Sequence, residues 1–163
     1  MDLYIIRHAD AVPLGEDGIT DDEQRPLTGR GKKQAKAVAR ALQRRGVRLG
    51  LLYTSPLVRA RETAEGILAA WDGPAPEPLP CDELAPGGKS KALARFLEGI
   101  DGQSIALVGH EPDLSEHVVW FMGSKKAQLA LAKAGVAFLR FGDEIGKGTG
   151  TLVWLVTPAW MEE

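Results

Sequence analysis

Cysteine and long apolar runs are nearly absent from this chain of 163 residues. Cys81 is the only cysteine, which excludes an intrachain disulfide and is typical of a reducing compartment, so we expect a cytoplasmic protein. No apolar run approaches the roughly 20 residues needed to cross a bilayer. The first run, residues 3–6, is also far shorter than the apolar core of a secretory signal. We therefore expect neither a membrane-spanning segment nor a signal peptide.

A charge excess of either sign is missing too. Twenty basic residues against 22 acidic residues give a net charge of −2, so the composition offers no reason to expect nucleic acid or an anionic membrane as partner. Hydrophobic residues make up 44% and charged residues 26%, which is ordinary for a globular protein. The length predicts one domain spanning residues 1–163.

Strand and helix patterns alternate through most of the chain. Short apolar runs predict strands over residues 3–8, 49–54 and 104–108. Helical spacing of apolar residues predicts helices over residues 29–45, 55–71 and 90–97, and a fourth after residue 110. Residues 72–88 are rich in proline and glycine, which predicts a loop with a short strand near 78–81. Residues 136–141 and 151–156 have the pattern of a hairpin.

This alternation predicts a three-layer α/β/α fold. Its sheet is mostly parallel, with an antiparallel hairpin at one edge. The helix starts carry capping signals: Thr28 precedes the first helix, and Ser55 with Pro56 predicts an N-cap and first helical position for the second.

Basic and imidazole side chains follow three of the predicted strands. Arg7 and His8 end the first strand, Arg59 lies one turn into the helix after the second, and His110 follows the third. Because the carboxyl ends of parallel strands share one edge of a sheet, we expect these four side chains to lie together.

Such a cluster suits a phosphoryl group. Arginine presents a planar fork of donors that matches phosphate oxygens, and helix N-termini add amide donors. A histidine with one unprotonated nitrogen can attack phosphorus, while the arginines and the second histidine stabilise the charge on the transferring group. No Mg²⁺-type carboxylate cluster accompanies these residues, and His110 and His117 are too far apart on a helix to share one ion, so we expect no metal and no cofactor.

Four segments carry a resemblance to a known family: "RHADA" at 7–11, "LTGRGKKQA" at 27–35, "SPLVRARETA" at 55–64 and "GHEP" at 109–112. With these segments in this order, the chain resembles the histidine phosphatase superfamily, whose signature is Arg-His-Gly after the first strand. The resemblance implies that His8 is the phosphorylated nucleophile and that Arg7, Arg59 and His110 form its phosphate pocket. The small size, "RPLT" at 25–28 and "DELAP" at 82–86 resemble the SixA-type phosphohistidine phosphatases within that superfamily.

Two departures from the family pattern have chemical consequences. Ala9 replaces the glycine after the histidine, which is tolerable where the backbone has a negative φ. The general acid of many relatives has no clear counterpart, and Glu83 and Asp10 are the candidates. A phosphohistidine substrate relaxes the demand for an acid, because imidazole leaves more easily than an alkoxide.

These observations leave three functions open. The first is hydrolysis of phosphohistidine on a signalling protein such as a phosphotransfer domain. The second uses the same chemistry on a small phosphate ester. The third, of another class, is a non-catalytic module that binds phosphate or phosphohistidine. The acidic segment at residues 15–24, "GEDGITDDEQ", is interpreted as a solvated lid, with selection of a basic partner surface or exclusion of highly anionic phosphates as the alternative.

Overall fold

The computed structural model describes residues 1–161. Its strands are β1 (Asp2–Arg7), β2 (Leu51–Thr54), β3 (Pro78–Pro80), β4 (Ser104–Gly109), β5 (Val136–Phe141) and β6 (Gly150–Val156). Its α-helices are α1 (Gly29–Arg44), α2 (Val58–Ala69), α3 (Ser90–Glu98) and α4 (Asp113–Phe121). Short 3₁₀ turns lie at Asp22–Gln24, Asp82–Leu84 and Pro158–Trp160.

The six strands form one sheet in the order β3-β2-β4-β1-β5-β6. The first four in that order are parallel to one another. The last two are antiparallel, β5 to β1 and β6 to β5. The prediction of a mostly parallel sheet with an antiparallel edge hairpin is confirmed.

Alternate residues of β1 belong to two separate cores, because successive side chains of a strand point to opposite faces. Tyr4 and Ile6 pack in the cluster that includes apolar residues of α1 and α2. Leu3 and Ile5 pack in the cluster that includes α3 and α4. Burial of each large apolar side chain contributes about 1.5–3 kcal/mol. The sheet is therefore the middle of three layers, as predicted.

The start of the second helix differs from its prediction. α2 begins at Val58, with Leu57 in the N-cap position, rather than at Pro56 after a Ser55 cap. The Ser55 hydroxyl does accept the Leu57 N–H at 3.3 Å, but it also contacts a histidine across the sheet. The Thr28 cap of α1 is present as predicted, since its hydroxyl accepts the Gly31 N–H.

The helices are short compared with the thickness of a bilayer. The longest, α1, has 16 residues, whereas a span needs about 20. Within residues 1–161, no helix is long and apolar enough to cross a membrane. The same residues contain no group of three or more His, Cys, Asp or Glu side chains placed to hold a metal ion.

Candidate active site

The ends of β1 and β4 bring two histidines together. These strands are parallel neighbours, with Arg7 paired to Gly109, so His8 and His110 follow them on the same edge of the sheet. Their ring centroids are 5.2 Å apart. Both are buried, His8 with 7% and His110 with 3% of its surface exposed. The sequence prediction that these residues lie close together therefore agrees with the structure.

The ring of His8 is held with one nitrogen free. Its Nδ1 lies 2.7 Å from the carbonyl oxygen of Ala9. Because a carbonyl oxygen only accepts, Nδ1 carries the proton in this contact and Nε2 of the neutral ring has an unshared electron pair. Burial, aided by the positive charges of Arg59 and Arg7, lowers the pKa of His8 to about 4 against the opposing effect of the Ala9 carbonyl. At neutral pH the ring is thus neutral and nucleophilic at Nε2.

His110 is also neutral and is bonded on one side only. Its Nε2 lies 2.8 Å from the Ser55 hydroxyl. Burial, aided by the positive charges of Arg59 and Arg7, lowers its pKa to about 3. Its Nδ1 is buried without a hydrogen-bond partner.

Two arginines complete the cluster. Arg7 donates from Nη1 to the Leu131 carbonyl at 2.9 Å, and Arg59 donates from Nη1 to the Asp22 carbonyl at 2.7 Å. The Nε of each arginine is buried and has no partner. Both guanidinium charges lower the pKa of both histidines, so all four groups lie within electrostatic reach of one another.

The unpartnered atoms of this cluster are exceptional in the molecule. In the part of the chain that the structure describes, three buried side-chain nitrogens or oxygens have no hydrogen-bond partner: Arg7 Nε, Arg59 Nε and His110 Nδ1. An unsatisfied buried polar group costs about 1–3 kcal/mol, so native proteins contain few of them. These nitrogens belong to the same cluster as the free Nε2 of His8, which indicates a site for a bound molecule that accepts hydrogen bonds. The two guanidinium groups favour an anion as that molecule.

Ala9 is compatible with this arrangement. It lies outside the positive-φ region, and its side chain is fully buried. Its N–H donates to the Thr63 hydroxyl at 3.0 Å, and that hydroxyl donates to the Arg59 carbonyl at 2.7 Å. The backbone at Ala9 therefore does not require glycine. Thr63, for which no sequence pattern predicts a role at the site, ties the His8 segment to α2.

The two candidates for a general acid are both engaged by other groups. Asp10 accepts from Lys133 Nζ and from the Thr28 hydroxyl, each at 2.7 Å, and the Lys133 hydrogen bond lowers its pKa. An ionised carboxylate at neutral pH is a poor proton donor, which argues against Asp10 in that role. Glu83 accepts a hydrogen bond from the Cys81 thiol at 3.3 Å. The next residue, Leu84, has its carbonyl oxygen close to Gly109 at the end of β4.

Asp22, from the acidic segment, enters the site and was not predicted to do so. Its carboxylate accepts from Arg59 Nη2 at 3.1 Å and from Arg25 Nη1 at 2.9 Å. Arg25 also donates from Nε to the Val12 carbonyl at 2.7 Å, and its charge lowers the pKa of His8. The acidic character of the segment was visible in the sequence, but nothing in its pattern selects Asp22 among its neighbours.

The buried neutral histidines make the stability depend on pH. Burial lowers the pKa of His8 and His117 to about 4 and that of His110 to about 3. In the unfolded chain these groups take up protons near pH 6.5. Their contribution to the free energy of unfolding is therefore complete above that pH and is lost as the pH falls towards 4. We expect urea unfolding at pH 5 to show a free energy lower than at pH 7 by about 1–2 kcal/mol per histidine. An unchanged free energy across this interval would contradict the burial of neutral rings.

Comparison with known proteins agrees with the fold and identifies the family. Residues 3–84 match the histidine phosphatase superfamily (branch 1). The chain is 39% identical over 171 residues to an uncharacterised protein of Picosynechococcus sp., with 99% of each chain covered. It is 25% identical over 162 residues to the phosphohistidine phosphatase SixA of Escherichia coli, with 97% of this chain and 94% of SixA covered. The solved structure of the protein histidine phosphatase SixA complexed with tungstate has the same fold, with a TM-score of 0.86 at 22% identity over 99% of this chain and 100% of that one. The chain belongs to the histidine phosphatase superfamily and is a phosphatase.

Proposed function

We propose that the protein hydrolyses phosphohistidine on a signalling protein, without a cofactor, through a phosphorylated His8. The observation that carries the proposal is the free Nε2 of a neutral, buried His8 beside three buried nitrogens that have no partner. Those nitrogens belong to Arg7, Arg59 and His110. This arrangement supports an anion next to a nucleophile, and the family supports a phosphoryl group as that anion.

In the first step, the unshared pair of His8 Nε2 attacks phosphorus and forms a P–N bond. The bond from phosphorus to the leaving imidazole breaks, and the imidazole nitrogen keeps the electron pair and takes up a proton from solvent. Arg7 and Arg59 hold the equatorial oxygens, and His110 donates from Nδ1 when the Ser55 hydroxyl donates to its Nε2. Donors aimed at the developing charge stabilise the transition state more than the ground state.

In the second step, water attacks the phosphorus of phospho-His8. The new P–O bond forms, the P–N bond breaks, and its electron pair returns to Nε2 while the proton of the water leaves to solvent. Inorganic phosphate then dissociates. The Nδ1–H contact to the Ala9 carbonyl is kept throughout, so the ring retains the same orientation in both steps.

The substrate class is supported by the state of the candidate acids and by the relatives. An alkoxide leaving group needs a proton donor, yet Asp10 is held ionised by Lys133 and Thr28. The imidazole of phosphohistidine leaves without a strong acid. A phosphohistidine phosphatase, the SixA of Escherichia coli, is 25% identical to the chain across nearly its whole length. Among protein partners, we therefore favour a phosphotransfer domain that carries phosphohistidine.

The test is release of phosphate from a phosphohistidine-bearing phosphotransfer domain, measured beside a panel of phosphate esters in the presence of EDTA. We expect kcat/KM on the phosphoprotein to exceed that on every ester by at least about 100-fold, a difference of roughly 3 kcal/mol in transition-state binding. The reverse preference would support the small-ester phosphatase and would direct attention to Glu83. Binding without turnover of any substrate would contradict both enzymatic functions and favour a phosphohistidine-binding module.

A further inference from the structure

Asp22 places a negative charge at the rim of an otherwise cationic site. It belongs to the acidic segment at residues 15–24, and its side chain keeps 49% of its surface exposed. Both terminal nitrogens of Arg59 donate to it, Nη1 to its carbonyl oxygen at 2.7 Å and Nη2 to its carboxylate at 3.1 Å. Its other carboxylate oxygen accepts from Arg25. One end of Asp22 thus lies on the phosphate-binding arginine, and the other faces solvent.

The position is close enough to the reacting groups to affect them. The charge of Asp22 raises the pKa of His110 against the stronger effect of burial. The hydrogen bond from Arg25 lowers the pKa of Asp22 itself, so the carboxylate is negative at neutral pH. Two of the five N–H donors of Arg59 are used by Asp22, while its buried Nε stays unpartnered. A phosphoryl group can therefore bind the Nε of Arg59 with Asp22 still in place, and the Asp22 carboxylate then lies on the same guanidinium group as the bound substrate.

We propose that Asp22 is a specificity-determining residue that rejects phosphoryl donors with a negative charge near the leaving atom and favours those whose leaving group is neutral or cationic. The assignment rests on the proposed function, because it assumes phosphoryl transfer to His8. It concerns the selection of substrates, and it assigns Asp22 no part in bond making or breaking. Phosphorylated imidazoles without an adjacent carboxylate are the preferred class.

A different role for Asp22 has different consequences. If the carboxylate only holds Arg59 in place, its removal weakens catalysis on all substrates equally and leaves their ratio unchanged. If it acts through its charge, its removal changes the ratio of kcat/KM values for leaving groups of opposite charge. That effect also weakens with salt, because the screening length is about 10 Å at 0.1 M and about 3 Å at 1 M.

The experiment uses two small phosphorylated imidazoles of similar size. One is N-phosphohistamine, whose leaving group carries an ammonium, and the other is the N-phosphorylated form of imidazole-4-acetate, whose leaving group carries a carboxylate. We expect the wild-type protein to prefer the first in kcat/KM, and the Asp22→Asn variant to reduce that preference by about fivefold. We also expect 1 M salt to reduce the preference of the wild-type protein but to have little effect in the variant.

Glu23→Gln is the matched control. It removes the same charge from the next residue, and Glu23 is exposed, with no hydrogen bond or ion pair from its carboxylate within residues 1–161. We expect this variant to keep the wild-type preference within about twofold. An unchanged preference in Asp22→Asn, or an equal change in Glu23→Gln, would overturn the assignment to Asp22 while leaving the proposed function intact. Turnover of neither compound by the wild-type protein would also overturn the assignment, because phosphorylated imidazoles are its preferred class. Turnover that persists in His8→Ala would overturn the proposed function as well.

Discussion

Replacing His8 by alanine is expected to abolish phosphatase turnover, with kcat reduced by at least about 10³-fold. The reason is the geometry of the ring: Nδ1 is occupied by the Ala9 carbonyl at 2.7 Å, and Nε2 is the unprotonated nitrogen of a ring whose pKa is about 4. His110 has a different part in the proposed mechanism, because its Nε2 contacts the Ser55 hydroxyl and its Nδ1 acts as a hydrogen-bond donor. His117 contacts Ser90 through its Nδ1. The measurement is phosphate release under saturating substrate.

The covalent step gives this prediction a second readout. After rapid mixing with ³²P-labelled substrate and denaturation at alkaline pH, which preserves phosphohistidine, we expect label on the wild-type chain and none on the His8→Ala chain. His8→Asn, which keeps a polar side chain of similar size, should behave as His8→Ala does. Circular dichroism of the variants should match that of the wild type, because deletion of a polar ring at a strand end leaves both hydrophobic cores complete. Label or turnover in either variant would exclude His8 as the nucleophile.

The fold and the main cluster were predictable because they follow from local patterns and one topological rule. Apolar runs defined β1, β2 and β4, and parallel pairing of these strands puts their carboxyl ends on one edge. His8 and His110 stand directly after paired strands, so their proximity follows from chain order and register alone. The same reasoning placed Arg59 near them, because α2 starts close to the end of β2.

Residues that act through long-range contacts were not predictable in the same way. Ser55 has the sequence context of a helix cap, but the structure places its hydroxyl 2.8 Å from His110, a contact across 55 positions of the chain. Asp22 is one of several acidic residues in a segment without regular periodicity, and its pairing with Arg59 depends on how that segment folds back. Neither hydrophobic spacing nor capping chemistry encodes such contacts, since both describe neighbours along the chain.

The Ser55 contact also shows why the helix start was wrongly predicted. Serine followed by proline is a strong start signal because the hydroxyl caps and proline fits the first helical position. In the structure the helix begins at Val58, and the Ser55 hydroxyl forms hydrogen bonds with both the Leu57 N–H and the His110 ring. A local preference is thus overridden by a buried polar contact, which is a common feature of functional sites.

Replacing Arg59 by methionine is expected to lower kcat/KM by about 10²–10³-fold, the usual effect of removing one donor to the charge of a transition state. Methionine keeps most of the length and the apolar stem of the buried side chain but removes its charge and all its donors. Inhibition by inorganic phosphate should weaken as well, because the proposed mechanism has the same guanidinium bind the product. Arg61→Met is the matched control, since Arg61 lies on the same helix with an exposed side chain.

The pH dependence tests whether the charge of Arg59 sets the protonation of the two histidines. The charge of Arg59 lowers the pKa of both His8 and His110. Its removal therefore raises both pKa values, so the loss of activity on acidification, which begins near pH 4 in the wild type, should begin at a higher pH in Arg59→Met. Arg61→Met should keep the wild-type profile and the wild-type kcat/KM. A uniform loss of activity at every pH in Arg59→Met would mean that the charge of Arg59 does not set the protonation of His8.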